Sequence, residues 1–239
     1  MNELVSVIIP TTDKEMPITQ KCEYCLKNST YKNIEIIVVN EQKERSEQRN
    51  IGIARAKGEY LLFLDSDQYV SSRLISECVG LMKGGYDAVY IPEVIITTGW
   101  FGRLRNWERQ FYLGTPVDVA RFAKGSVIGT FDEGLRGPED SDWDRRIQGH
   151  KAISRNVVYH DDNVTVRSFL EKKAYYSKSM GRYYEKWPQD KVLNFWYRCF
   201  WIFMEDGKWK RFLARPLSAL AVMALIFARG VIYLCAKKS

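Results

Sequence analysis

The stretch Ala56-Lys57-Gly58-Glu59-Tyr60-Leu61-Leu62-Phe63-Leu64-Asp65-Ser66-Asp67 decides the fold. Tyr60 to Leu64 is a short apolar run, the pattern of a strand buried on both faces of a sheet. Gly58 before it reads as the C-cap that stops a helix over Ser46 to Lys57. Two aspartates one residue apart then stand at the carboxyl end of the strand, where open α/β sheets bind ligands.

Reading outward toward the N-terminus, Leu4 to Ile9 is a β-branched run ended by Pro10, and Ile34 to Val39 is a second such run followed by Asn40-Glu41. Between them Pro17 opens a predicted helix with Ile18, Cys22, Cys25 and Leu26 on one face. The alternation β-α-β-α-β predicts a mostly parallel, Rossmann-like sheet with right-handed crossovers, flanked by helices. Reading outward toward the C-terminus, Ser71 or Ser72 is expected to cap a helix that buries Leu74, Ile75, Cys78, Leu81 and Met82 and ends at Gly84-Gly85. Tyr86 to Ile96 is expected to form one strand, bent at Pro92. Beyond Thr97 the regular alternation fades until Glu139-Asp140-Ser141-Asp142-Trp143-Asp144, an acidic helix start after the turn-rich segment Gly125 to Pro138.

A chain of 239 residues that is 46% hydrophobic buries one substantial core. Ordinary Gly and Pro content, with no repeat and no low-complexity tract, excludes disordered, fibrous and solenoid classes. The net charge of +7 suits anionic partners, and much of the excess lies late, at Lys172-Lys173, Lys208 to Arg211 and Lys237-Lys238. Those clusters keep company with Trp196 to Phe203, rich in aromatic residues, and with the mostly apolar Phe212 to Ala236. The uncharged run Pro216 to Ala228 is shorter than the roughly 20 residues of a spanning helix. The expectation is therefore a membrane-associated segment, 191–239, lying in the headgroup interface, with a tilted span and a snorkelling Arg229 as the other reading. A helix packed on the core is the non-membrane alternative. Met1 to Val5 has no basic region followed by an apolar stretch, which predicts a catalytic domain kept on the cytoplasmic face of the membrane. Cys22, Cys25, Cys78, Cys199 and Cys235 are expected to be reduced thiols, and Cys22-x-x-Cys25 has no second pair at zinc spacing.

Asp65 and Asp67 can present one carboxylate to Mg²⁺ or Mn²⁺ and the other to a ribose or a metal-bound water, since these ions prefer one or two carboxylates plus substrate phosphates. By itself the tripeptide is equally a helix-capping turn. Its neighbours carry more. Val5 to Thr11, Ile34 to Val39, Arg49 to Ala54 and Ala56 to Asp67 resemble, in order and spacing, the amino-terminal half of family 2 glycosyltransferases over about the first 95 residues. Phe131 to Arg146 is similar to that family's acceptor-side segment with its Glu-Asp pair.

The resemblance implies a GT-A fold, with a catalytic domain over 1–190 made of a nucleotide-sugar half, 1–96, and an acceptor half, 97–190. It implies inverting transfer of a sugar from a UDP- or GDP-linked donor to a glycan or polyprenyl-linked acceptor. Asp140, beside Glu139, would be the base that deprotonates the acceptor hydroxyl. Pro10, Thr11, Thr12, Asn40, Glu41, Arg49, Asp65 and Ser66 would line the donor pocket, and Asp67 with Asp65 would meet the metal. Asn40-Glu41 departs from the acidic residues usual after the second strand, and Thr12 stands where an aromatic residue is frequent, so base preference is open. His160, at a predicted strand end, is either a further metal ligand or a surface or core histidine. Arg182, in a helix of cations and phenols, is either a clamp on a diphosphate or part of an amphipathic cover. Two other classes compete. A nucleotidyltransferase would need a Gly-rich loop after the first strand, where Pro10 to Glu15 has no glycine; a non-catalytic glycan- or nucleic-acid-binding module would not need both acidic pairs, and no RNA-binding motif is present, so no nucleic-acid partner is expected.

Overall fold

The computed structural model describes residues 3–162 and 164–236. Cys235 and Lys237-Lys238 lie outside the described side chains. Within this range the chain divides into two compact units whose segments alternate along the sequence: Met1–Ile96, Val119–Glu133 and Glu139–Asp162 form the first, and Thr97–Asp118, Gly134–Pro138 and Asn163–Ser239 the second.

The first unit is built on β1 (Val5–Pro10), β2 (Ile34–Val39) and β3 (Tyr60–Phe63), joined by α1 (Pro17–Lys27) and α2 (Arg45–Arg55). β1 pairs in parallel with both β2 and β3, as the buried apolar runs require. Among the described residues the main sheet has the order β2-β1-β3-β7-β5-β8, where β5 is Ala88–Tyr90, β7 Ala120–Lys124 and β8 Lys151–Ile153. β7 runs antiparallel to β3 and β5. A second sheet, β4-β9-β6, contains β4 (Gln68–Val70), β6 (Glu93–Ile96) and β9 (Val158–Asp161). The core holds β1, β3, α1 and α3 (Leu74–Lys83), with Val7, Ile9, Leu62, Leu64, Leu74 and Cys78 fully buried.

Three local expectations are corrected. Tyr86 to Ile96 is not one bent strand: the chain leaves the main sheet after Tyr90 and enters the second at Glu93, because Pro92, lacking an N–H, sits between the ladders. Neither Ser71 nor Ser72 caps α3, whose N-cap is Arg73 with no side-chain bond; Ser71 Oγ instead meets Asn156 Oδ1 at 3.3 Å. Gly58 is not a C-cap, since α2 ends at Arg55 with Ala56 extended. Its role is close approach. A Cβ there would lie 2.6 Å from the backbone nitrogen of Ser6, whose hydroxyl accepts the Gly58 N–H at 2.7 Å.

The second unit is helical: α4 (Trp100–Arg109), α6 (Val166–Ser177), α7 (Met180–Lys186), a π-helical turn Tyr197–Trp201, α8 (Ile202–Met204), α9 (Trp209–Leu213) and α10 (Pro216–Ala236), while α5 (Glu139–Arg146) belongs to the first unit. Its core is aromatic, with Trp107, Phe111, Phe203 and Phe212 in mutual contact against Val222 and Ile226 of α10. Pro216–Tyr233 has a mean hydropathy of 1.8, and it is long and apolar enough to cross a membrane by length and composition. Arg229 does not snorkel. It is buried, with Nη2 donating to Glu108 Oε1 at 2.6 Å and Nε to Leu225 O at 3.3 Å, because an uncompensated charge inside a helix pair must find a carboxylate.

Candidate active site

Two turns of α2 carry the site's cations. Arg45, Arg49 and Gly52 share the face that meets the sheet, and at Gly52 a Cβ would come within 2.3 Å of Ile8 Cγ2, so the glycine lets α2 settle onto β1. Arg49 is buried and bridges two carboxylates. Its Nη2 donates to Asp65 Oδ1 at 3.0 Å and its Nη1 to Asp140 Oδ1. Arg45 reaches the same group, with Nε donating to Glu139 Oε1 at 3.0 Å, Nη1 lying 3.7 Å from Asp65 Oδ2 and Nη2 3.9 Å from Asp140 Oδ2. Residues remote in sequence thus form one network. Burial would raise the Asp65 carboxyl, and Arg45 and Arg49 outweigh it, holding the group well below the usual carboxylate range.

The acidic helix is fixed from below by aromatic packing. Trp143 stacks on Phe131 with centroids 5.3 Å apart and meets the edge of Phe63 at 5.2 Å, while its Nε1 donates to Gly129 O at 3.2 Å. Asn50, one residue after Arg49, clasps the approach to α5 by accepting from Phe131 N at 2.7 Å and donating to Phe131 O at 3.0 Å. Within the acidic run the roles divide. Asp142 and Asp144 are buried and structural, Asp144 taking the Ala120 N–H at 2.9 Å and Lys151 Nζ at 2.9 Å, whereas Asp140 is part-exposed beside Arg49.

Beyond β3 a second chain of contacts joins the two aspartates of Asp65-Ser66-Asp67. The Asp65 N–H donates to Gln68 Oε1 at 3.1 Å, which also accepts from Arg121 Nη1 at 2.8 Å. Arg121 Nη2 pairs with Glu93 Oε2 at 2.5 Å, and Glu93 Oε1 meets His160 Nδ1 at 2.8 Å. His160 Nε2 then meets Asp67 Oδ2 at 3.0 Å. Burial would lower the imidazole, and the hydrogen bonds and charges of Asp67 and Glu93 outweigh it, so His160 is pushed up to about 10.

Asp67 Oδ1 is buried and has no hydrogen-bond partner among the described residues. A hard carboxylate oxygen left without a donor, next to an imidazole whose other nitrogen is held by a carboxylate, is a donor set that fits Mn²⁺ or Mg²⁺ completed by phosphate oxygens. Asp65 is not brought into that set, because its carboxylate is engaged by the two arginines. No group of three or more His, Cys, Asp or Glu side chains stands in ligating geometry among the described residues.

The other expected site residues fall as follows. Pro10 ends β1, and Thr11 is buried, its N–H donating to Val39 O at 2.9 Å and to Gln48 Oε1 at 3.1 Å. Thr12 and Asn40 are exposed at the ends of β1 and β2, Ser66 is half-buried, and Glu41 pairs with Arg55 at 2.9 Å. Arg182, on α7 in the second unit, lies against Gly134, where a Cβ would come within 2.6 Å of its guanidinium carbon. Sequence reasoning missed Arg45, Gln68, Glu93 and Arg121. Only Glu93 left a trace, as a charge inside an otherwise apolar strand directly after Pro92.

A family model described as Glycosyl transferase family 2 matches residues 40–131, the span that holds α2, the strand-end aspartates, Glu93 and Arg121. Over that span the chain is similar to a family 2 glycosyltransferase domain. Its relatives include Glycosyltransferase GlyG of Streptococcus pneumoniae, 31% identical over 31% of this chain and 34% of that protein. They also include the UDP-Glc:alpha-D-GlcNAc-diphosphoundecaprenol beta-1,3-glucosyltransferase WfaP of Escherichia coli, 30% identical over 41% of this chain and 51% of that protein. The chain thus spans about half or less of the length of the curated relatives it matches. Among solved structures the chain resembles the mannosyltransferase PcManGT of Pyrobaculum calidifontis in complex with GDP-Man and Mn²⁺, with a TM-score of 0.64 at 16% identity over 98% of this chain and 88% of that one. S. aureus TarS in complex with UDP-GlcNAc gives a TM-score of 0.51 at 13% identity over 98% of this chain and 91% of that one. These likenesses establish the GT-A fold.

Proposed function

We infer that this chain transfers a sugar, with inversion, from a UDP- or GDP-linked donor to a hydroxyl of a lipid-linked or surface glycan, at the cytoplasmic face of a membrane. The observation that carries the reading is the Arg45–Arg49 bridge, which ties the strand-end Asp65 to Glu139 and Asp140. Donor and acceptor chemistry need carboxylates at adjoining positions, and two arginines of one helix hold them there.

In this reading Asp140 takes the proton from the acceptor hydroxyl. The Arg49 contact fixes the direction of the Asp140 carboxylate, so the base is pre-oriented toward its proton. Glu139, buried against Arg45, positions the start of α5. Pro10, Thr11 and Asp65 border the donor base and ribose, with Gln48 holding the Thr11 backbone. Asp67 and His160 would hold a divalent ion with Glu93 orienting the imidazole, and Arg182 would meet the diphosphate. Mn²⁺ or Mg²⁺, when bound, supplies positive charge that stabilises the leaving nucleoside diphosphate.

Support for the donor class comes from PcManGT with GDP-Man and Mn²⁺ and TarS with UDP-GlcNAc, and support for a lipid-linked acceptor from the name of WfaP. Support for a membrane surface comes from the apolar length of α10 and from Leu217, Leu220 and Phe227, which are 82%, 68% and 69% exposed. The test is a hydrolysis screen of UDP- and GDP-sugars with the purified chain, with and without Mn²⁺. Slow release of UDP or GDP from one donor class, dependent on the metal, is expected; no release from any donor under any metal condition sinks the reading.

A further inference from the structure

Three helices of the second unit each send a cation to one ring, Arg105 from α4, Lys173 from α6 and Arg229 from α10, and Arg198 of the π-helical turn is near enough for its charge to act on Lys173. The ring is Phe169: the Arg105 guanidinium carbon lies 4.5 Å from its centroid, Lys173 Nζ 5.5 Å and the Arg229 guanidinium carbon 5.8 Å. Glu108, fully buried, accepts from Arg105, from the Tyr112 hydroxyl and from Arg229. Neither Lys173 nor Arg198 pairs with a carboxylate among the described residues.

Such an arrangement is costly as it stands. A ring quadrupole offsets each nearby cation only weakly, while like charges crowded out of water repel strongly. Burial, reinforced by Arg105, Arg229 and Arg198, pushes the Lys173 ammonium well below its ordinary value. An anion of two or more charges would reverse each of those repulsions at once. Guanidinium forks match phosphate oxygens in pairs, and an ammonium adds a point charge with three donors. Arg105 and Arg229 are buried, whereas Lys173 and Arg198 are half-buried and so open to solvent on part of their surface.

The surroundings select the kind of phosphate. The cations stand beside the apolar cluster of Phe101, Phe169 and Leu225, with the half-buried Val164 and Leu170 packed against it. A charged head with an apolar tail satisfies both features. We propose that Lys173, Arg198, Arg105 and Arg229 form a binding site for the phosphate or diphosphate head of a lipid. This deepens the lipid-linked acceptor reading and rests on it for the lipid.

The experiment is calorimetric titration of the full chain at low salt with farnesyl diphosphate, inorganic pyrophosphate and uncharged farnesol, repeated on Lys173→Met and Arg198→Met. These half-buried positions are chosen because losing a repelled cation leaves the melting temperature unchanged or raised, which separates a binding role from a structural one. Farnesyl diphosphate is expected to bind more tightly than pyrophosphate or farnesol, and each variant to weaken it at least tenfold. Equal affinities for farnesyl diphosphate and pyrophosphate assign the site to a free diphosphate and overturn the lipid part. No binding of either anion, or binding unchanged in both variants, overturns the site altogether. Donor hydrolysis by the wild type is read separately, so diphosphate binding that depends on Lys173 in a chain that turns over no donor leaves this site standing and removes the proposed activity.

Discussion

Asp65 shows how little a motif says before its contacts are known. Asp-Ser-Asp at a strand end suggested a ligand site, and the resemblance assigned both aspartates to a metal. In the fold the two separate: Asp65 belongs to Arg45 and Arg49, whereas Asp67 faces His160 and keeps an unpartnered buried oxygen. Arg45 was not legible, and Glu93 showed only as a charge in an apolar run, because a charged residue in a linear sequence carries no sign of which remote carboxylate or imidazole it will meet. His160 was legible as a candidate only through its position after Val157-Val158, and what raises it above a core histidine is Glu93 behind its Nδ1. That partner has a measurable consequence. A carboxylate behind a ligating histidine fixes its tautomer and raises its basicity, and losing such a partner costs about 10- to 100-fold in metal affinity. Glu93→Gln is therefore expected to weaken Mn²⁺ binding by about that factor, read by titrating free Mn²⁺ with electron paramagnetic resonance. Unchanged Mn²⁺ affinity in a folded Glu93→Gln chain would remove His160 from the metal site.

At the scale of elements, β1, β2, β3, α1 and α2 were readable because buried parallel strands appear as unbroken apolar runs and helices as a 3.6-residue rhythm. The parts that failed depend on pairing rather than pattern. Whether Glu93 to Ile96 continues one sheet or starts another depends on β9, far along the chain, which pairs with β6 in parallel. The caps expected at Ser71 and Ser72 failed for a similar reason, since Ser71 is drawn to Asn156 in the turn that leads into β9. That turn is tied to α3 by a single carboxylate. Glu77 accepts from Ser154 Oγ at 2.7 Å, Arg155 N at 2.8 Å and Asn156 Nδ2 at 2.7 Å, and these bonds outweigh burial, lowering its carboxyl from the usual value to about 2. A depressed folded value contributes stability above the unfolded pKa, near 4.5, and loses it as pH falls toward 2. After allowance for solvent screening, Glu77→Gln is expected to cost about 1–2 kcal/mol at pH 7 in urea unfolding, with wild type and variant converging as pH approaches 2. A gap that stays constant from pH 7 to 3 would show that the bonds, and not the charge, hold the turn.

At the scale of the whole molecule, composition predicts one substantial core and a basic, apolar C-terminal region, whereas the chain divides into two compact units and that region packs within the helical second one. Its interior was not legible. Arg229 reads in sequence as an interruption in an apolar helix, and only the fold reveals Glu108 as its buried counter-charge. The outer face of α10 gives a direct expectation for the membrane. The intact chain should float with vesicles containing phosphatidylglycerol, and replacing Leu217, Leu220 and Phe227 with serine should lower the membrane partition coefficient by about 10³-fold or more, since each large apolar side chain withdrawn from water contributes about 1.5–3 kcal/mol. Equal flotation of wild type and variant would assign that face to another partner. The claim on which everything else depends is that Asp140, held by Arg49, is the base of sugar transfer. Its most direct test is the rate of transfer to an acceptor, compared between wild type and Asp140→Asn with donor affinity measured on both. The account predicts a fall of about 10²- to 10⁴-fold in turnover with donor affinity retained; turnover within a few-fold of wild type would contradict it.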